Sequence, residues 1–163
     1  MGTYALELFA DTPSLDAVIV PIGLGSGICG TALVRECISP KTQLIGVQAE
    51  RAPAVYLSWK EKRMVSTDSA DTFADGLATR VPAEMTQHII NQKVDDIVTV
   101  SEEEIVQAIR LLLFYTHNLA EGAGAASLAA AIKLRSQFAG KRVAIILSGG
   151  NIDAATLRRV LAE

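Results

Sequence analysis

The sequence predicts an α/β fold, with a parallel sheet of about four strands flanked by helices in a single domain over residues 1–163. Three observations carry this expectation. Short β-branched apolar runs stand at Ala17–Ile22, Leu44–Val47, Asp96–Val100 and Val143–Leu147, with the length and composition of buried strands. Each run is followed by apolar residues at helical spacing, and strands that alternate with helices build parallel sheets covered on their faces. A chain of 163 residues that is 50% hydrophobic and 20% charged is also large enough to enclose a core of its own.

Taken in order, the first strand run leads through a glycine-rich loop into a helix predicted over Gly27–Cys37. The second leads into a helix over Pro53–Lys62, whose Lys60 and Lys62 read as its solvated end. Ser66–Val81 is polar and reads as an irregular excursion from the sheet. After the third strand, Ser101 with Glu104 three residues on forms a capping box that opens a helix over Ser101–Asn118. The Gly/Ala-rich segment Ala123–Phe138 follows as another helix. Beyond the fourth strand, Gly149-Gly150-Asn151 is a turn, and Asp153 caps a last helix over Asp153–Leu161. At the N-terminus, Tyr4, Leu6, Leu8 and Phe9 make Thr3–Phe9 an apolar segment expected to take part in an interface, most simply that of a two-fold homo-oligomer.

Charge and composition exclude several functions. The net charge is −3 and no run of like charge exceeds Glu102–Glu104, so the footprint expected of nucleic-acid binding or of an anionic membrane surface is absent. The longest nearly uncharged stretch, Leu119–Ile132, is too short for a bilayer and contains Glu121. Cys29 and Cys37 lie eight residues apart on one predicted helix, about 12 Å along its axis, too far to pair. His88 and His117 are far apart, so no zinc set forms. Free thiols point to a reducing compartment, and the expected location is cytoplasmic. Cys29 is expected to be a small packing residue.

Chemistry concentrates in Gly23-Leu24-Gly25-Ser26-Gly27-Ile28-Cys29-Gly30, between the first strand and its helix. Glycines let consecutive backbone N–H groups turn toward one point, and the positive end of the following helix adds attraction, so a small-molecule phosphate is the natural guest. Gly25-x-Gly27-x-x-Gly30 also fits a dinucleotide-binding, Rossmann-like fingerprint, with Glu50 placed twenty residues on as a ribose-binding acid. Against that, Pro21 and Gly23 stand where the fingerprint wants regular strand residues. A tight turn with no ligand is the third reading.

Five motifs narrow the choice: Val20-Pro21-Ile22 with the glycine loop, Ala74-Asp75-Gly76-Leu77-Ala78, Asp95 to Glu102, Glu121-Gly122-Ala123-Gly124-Ala125, and Leu147-Ser148-Gly149-Gly150-Asn151. In this order and spacing the chain resembles the threonine/serine dehydratases, fold-type II pyridoxal phosphate enzymes to which serine racemase is also similar. The resemblance implies part of that family's large cofactor domain and the cofactor pyridoxal 5'-phosphate. Its phosphate would lie on the backbone of Gly23, Leu24, Gly25, Ser26 and Gly27, Leu24 and Ser26 being departures from a commoner all-glycine loop. Ser148 matches the hydroxyl at the pyridine nitrogen; Gly76 and Glu121 match positions lining the cofactor. Glu50 matches a residue that ligates a divalent cation together with a carbonyl near Ala54, but the third ligand, an aspartate in the family, is here Tyr56.

The family's reaction is β-elimination of water from a hydroxyamino acid such as L-threonine or L-serine, giving a 2-oxo acid and ammonia. It needs a lysine that carries the cofactor and moves the α-proton, found in a Ser-x-Lys-x-Arg context. None of Lys41, Lys60, Lys62, Lys93, Lys133 or Lys141 has that context. The resemblance is to the C-terminal half of such an enzyme, so the chain is expected to be inactive alone; the alternative is one half of a split lyase completed in trans by the missing N-terminal half.

Overall fold

The computed structural model describes residues 2–162. Four strands, β1 (Ala17–Pro21), β2 (Gln43–Ala49), β3 (Asp96–Val100) and β4 (Val143–Ile145), form one sheet in the order β3-β2-β1-β4. Every pairing is parallel, with Ile19 opposite Ile45 on one side and Ile145 on the other. The helices are α1 (Thr3–Asp11), α2 (Ser26–Ile38), α3 (Ala54–Glu61), α4 (Glu84–Lys93), α5 (Glu102–Leu111), α6 (Gly122–Lys133) and α7 (Ala154–Ala162).

Successive strand residues point to opposite faces, and both faces are covered. Ile19, Ile45, Val47 and Val100 pack with Ile105, Ile109, Ala125, Ala126 and Val160 from α5, α6 and α7. Val18, Val20, Leu44 and Ile97 pack on the other face with Phe9, Ile28, Val55 and Ile90 from α1 to α4. Burial on two sides explains why these strands read as continuous apolar runs instead of alternating ones.

The capping box forms as expected: Glu104 N–H donates to Ser101 Oγ (3.2 Å) and Ser101 N–H to Glu104 Oε2 (2.7 Å). Asp153 Oδ1 accepts from the N–H groups of Ala155 (2.8 Å) and Thr156 (3.0 Å). Ser66–Val81 contains only a 3₁₀ turn at Asp75–Leu77. Other expectations are corrected. The fourth strand ends at Ile145, two residues early, although Ile146 N–H still reaches Ile19 O at 3.0 Å. The long helix after Ser101 runs only to Leu111 and then widens into a π-helical turn over Leu112–Thr116, closed by His117 in the left-handed region. The Gly/Ala-rich helix stops at Lys133.

Two helices, α1 and α4, were not expected. Helix α1 turns Ala5 and Phe9 inward, 0% and 4% exposed, and the Tyr4 hydroxyl donates to Gly27 O at 2.9 Å. Thr3–Phe9 thus packs its Ala5 and Phe9 face within the chain, while Tyr4 and Leu8 are half-buried and Leu6 is exposed.

The strand order positions the site. From β1 the chain continues into α2 on one face, and from β4 into α7 on the other, while β1 and β4 are neighbours. Connections that part to opposite faces leave a crevice at the carboxyl ends of the strands, where ligands bind in open α/β sheets. Fully buried Gln48 fixes one lip of it, donating from Nε2 to Ile22 O (3.3 Å) and accepting Tyr56 N–H at Oε1 (2.8 Å). A Gln48→Met variant keeps the side-chain length but strands both backbone groups, and denaturant unfolding should show a loss of about 1–3 kcal/mol.

Candidate functional site

Beyond β1, Ile22 N–H still donates to Val47 O (2.9 Å), and then the chain leaves the sheet. Gly25 caps α2 with φ +96°, and a Cβ there would lie 3.0 Å from both Ile90 Cδ1 and Thr86 Cβ. Glycine answers both the left-handed backbone and the close approach. Among the described residues, the N–H groups of Gly23, Leu24, Gly25, Ser26 and Gly27 have no hydrogen-bond acceptor; in the next turn Cys29 N–H reaches Gly25 O at 3.0 Å.

These five residues line one cleft of about 270 Å³ together with Pro21, Gly76, Leu77, Glu121, Ala123 and Ser148. The structure thus brings together in one place all eight residues expected to hold the cofactor. They arrive from the loop after β1, the 3₁₀ turn, the start of α6 and the loop after β4. Unpaired donors at the start of a 13-residue helix give this wall a positive potential suited to an anion. Leu24 and Ser26 occupy φ below zero, so neither departure from glycine strains the loop.

The facing wall is built on Glu121. As N-cap of α6 it donates its N–H to Gly149 O (3.1 Å) and accepts Asn151 N–H at Oε2 (3.1 Å). A Cβ at Gly149 would fall 2.5 Å from Glu121 Oε1, so a side chain there would push this carboxylate from its place. Ser148, one residue earlier, lines the cleft with its hydroxyl exposed. Neither Ser148 Oγ nor Ser26 Oγ has a partner among the described residues. Glu121 is the one titratable side chain on the lining. Pro21, Leu77 and Ala123, which line the cleft as well, lie inside the recurring motifs but had not been singled out.

Glu50 lies outside this cleft. Its Oε1 pairs with Lys133 Nζ (3.3 Å), which also donates to Glu104 Oε2 (3.1 Å) and Thr99 O (2.9 Å). Those carboxylates hold the Lys133 ammonium above its ordinary pKa against the opposing effect of burial. The Ala54 carbonyl accepts Ser58 Oγ (2.7 Å), and no group of three His, Cys, Asp or Glu gathers among the described residues. A donor set short of carboxylates and already holding an ammonium does not fit a divalent cation, which takes six or more oxygens. Ribose binding at Glu50 finds no support in this placement either.

Cys29 packs at the first turn of α2, its thiol donating to Thr86 O at 3.5 Å, and burial pushes its pKa up to about 11. Both cysteines are free. No lysine lines the cleft, and no described helix is long and apolar enough to cross a membrane.

Similarity to known proteins follows the same lines. The family pattern described as "Pyridoxal-phosphate dependent enzyme" matches residues 1–149. An L-threonine ammonia-lyase of Thermotoga maritima is 38% identical over 98% of this chain and 40% of its own length. A serine racemase of Schizosaccharomyces pombe is 35% identical over 99% of the chain and 50% of its own length. Among solved structures, the processed form of threonine deaminase isoform 2 from Solanum lycopersicum superposes with a TM-score of 0.94 at 31% identity, covering 99% of this chain and 45% of that one. The chain spans about half the length of the relatives it matches.

The thiol at Cys29 stays protonated until the pH approaches 11. At neutral pH, iodoacetamide should therefore modify exposed Cys37 and leave Cys29 intact, as peptide mass mapping of the folded chain would show.

Proposed function

Because this chain belongs to the family of pyridoxal-phosphate dependent enzymes, we propose that its cleft holds pyridoxal 5'-phosphate in a threonine/serine ammonia-lyase site acting on a small hydroxyamino acid. The observation that carries this reading is the set of five backbone N–H groups, Gly23 to Gly27, without an acceptor in the described chain and lining one cleft with Ser148 and Glu121. A phosphate fits such donors at a helix start. Relatives with lyase or dehydratase names, including a β-hydroxyaspartate dehydratase of Paracoccus denitrificans at 38% identity, support the reaction class.

When bound, pyridoxal 5'-phosphate supplies the electron sink for losing a β-substituent. The work of this chain is positioning. Gly23 to Gly27 would anchor the phosphate, and Gly76 lets the 3₁₀ turn approach α6, where a Cβ would stand 2.7 Å from Ala123 Cβ. Ser148 Oγ would serve the ring nitrogen as a neutral partner, a weaker promoter of ring protonation than a carboxylate, which would suit loss of a β-hydroxyl better than transamination. Glu121, fixed by Asn151 N–H, would offer its carboxylate to the ring and substrate.

Proton movement at the substrate needs a lysine, and none of the six in this chain lines the cleft. We therefore assign that lysine to polypeptide outside residues 1–163, in the same protein or in a companion chain.

Calorimetric titration of the 163-residue chain should show pyridoxal 5'-phosphate binding more tightly than pyridoxal or NAD; tighter binding of NAD would overturn the cofactor assignment. Borohydride treatment of the loaded chain should fix the cofactor on no single lysine, and L-threonine and L-serine should yield no 2-oxo acid above a blank. Activity should appear only when polypeptide with a Ser-x-Lys-x-Arg segment is supplied; turnover by the chain alone would refute that division of labour.

A further inference from the structure

We propose that Thr86, on the first turn of α4, is a positioning residue that aims the phosphate-binding loop. The inference rests on the reading of the cleft as a phosphate cradle and adds a residue from an element that does not line it. Thr86 Oγ1 donates its one hydrogen to Leu24 O at 2.6 Å, with Ala83 O the longer alternative acceptor at 3.2 Å. Thr86 O accepts from Cys29 Sγ at 3.5 Å, and Thr86 Cβ stands where a side chain at Gly25 would go. One residue thus braces three points of the loop and the helix it opens.

The consequence follows from peptide geometry. In a planar trans peptide the carbonyl and the N–H of the next residue point in opposite directions. Leu24 O and Gly25 N–H belong to one peptide plane, so the hydroxyl that holds the carbonyl back toward α4 sends the Gly25 N–H the other way, toward the cleft that Gly25 lines. The loop needs such a brace. Its five N–H groups form no bonds with the described chain, and Gly25 gives its backbone unusual freedom. Without the hydroxyl the plane can rotate, and the donor array must be ordered at the moment of binding, at a cost to affinity.

Three forms of the full chain test this: wild type, Thr86→Val, which removes the hydroxyl, and Thr86→Ser, which keeps it. The probes are inorganic phosphate, pyridoxal 5'-phosphate and pyridoxal, titrated calorimetrically. A single hydrogen bond of this kind should make Thr86→Val bind both phosphate-bearing probes about three- to tenfold more weakly. Pyridoxal should bind it unchanged, and Thr86→Ser should retain wild-type affinity for all three. In the ligand-free protein, amide hydrogen exchange at Gly25 should be faster in Thr86→Val than in wild type or Thr86→Ser. Should Thr86→Val unfold, Thr86→Ala takes its place with the same expected pattern. Equal phosphate affinity in wild type and a folded hydroxyl-less variant would overturn the role of Thr86 and leave the cradle standing. If wild type itself binds neither phosphate nor pyridoxal 5'-phosphate, the cradle falls and the role of Thr86 with it.

Discussion

Five backbone N–H groups without acceptors in the described chain, at the end of β1, are the constraint around which this molecule is arranged. A buried, unsatisfied donor costs about 1–3 kcal/mol, so a loop with five of them has to open on water or on a ligand. The sheet supplies that opening. Because β4 lies beside β1 and the chain leaves the two strands toward opposite faces, their carboxyl ends part at the glycine loop. Everything next to the loop is then secured by bonds that spare its N–H groups. Gln48 takes Ile22 O, Thr86 takes Leu24 O, and Tyr4 and Thr31 take Gly27 O. Carbonyls are restrained and donors are left open.

What the sequence made legible is what local chemistry determines. Val18, Ile19 and Val20 could hardly be other than a strand, and the runs in β2 and β3 are of the same kind. Ser101 with Glu104 and Asp153 with Thr156 mark helix starts because their partners lie within three residues. Helix α4 escaped notice for the complementary reason: its buried residues are Gln87 and Ile90, and its N-cap is Ala83, which offers no side-chain bond. In α1 the apolar residues were visible, but only the fold shows that Ala5 and Phe9 face α2.

The site divides along the same line. Its loops were readable as motifs because glycine leaves a signature wherever a backbone must turn or approach closely, as at Gly25 and Gly23. Glu50 shows the limit of spacing. Twenty residues beyond the glycine loop suited a ribose acid, and its match to a cation ligand was equally local. Its actual partner, Lys133, is 83 residues away on α6, and that same ammonium engages Glu104 of the capping box. A contact of this range leaves no trace in a periodicity, so the carboxylate's structural role could be seen only in three dimensions.

The two walls of the cleft are therefore unlike in origin but alike in construction. At one wall, the glycine loop after β1 is held by a hydroxyl 62 residues later. At the other, the loop after β4 is held by Glu121, through Gly149 O and Asn151 N–H, 30 residues before the latter. Neither loop carries its own restraint. Each depends on a helix N-terminus, α4 in one case and α6 in the other, that packing on the two faces of the sheet holds in place. Cleft geometry is thus a property of the completed sheet, and the residues that decide it need not touch what binds there.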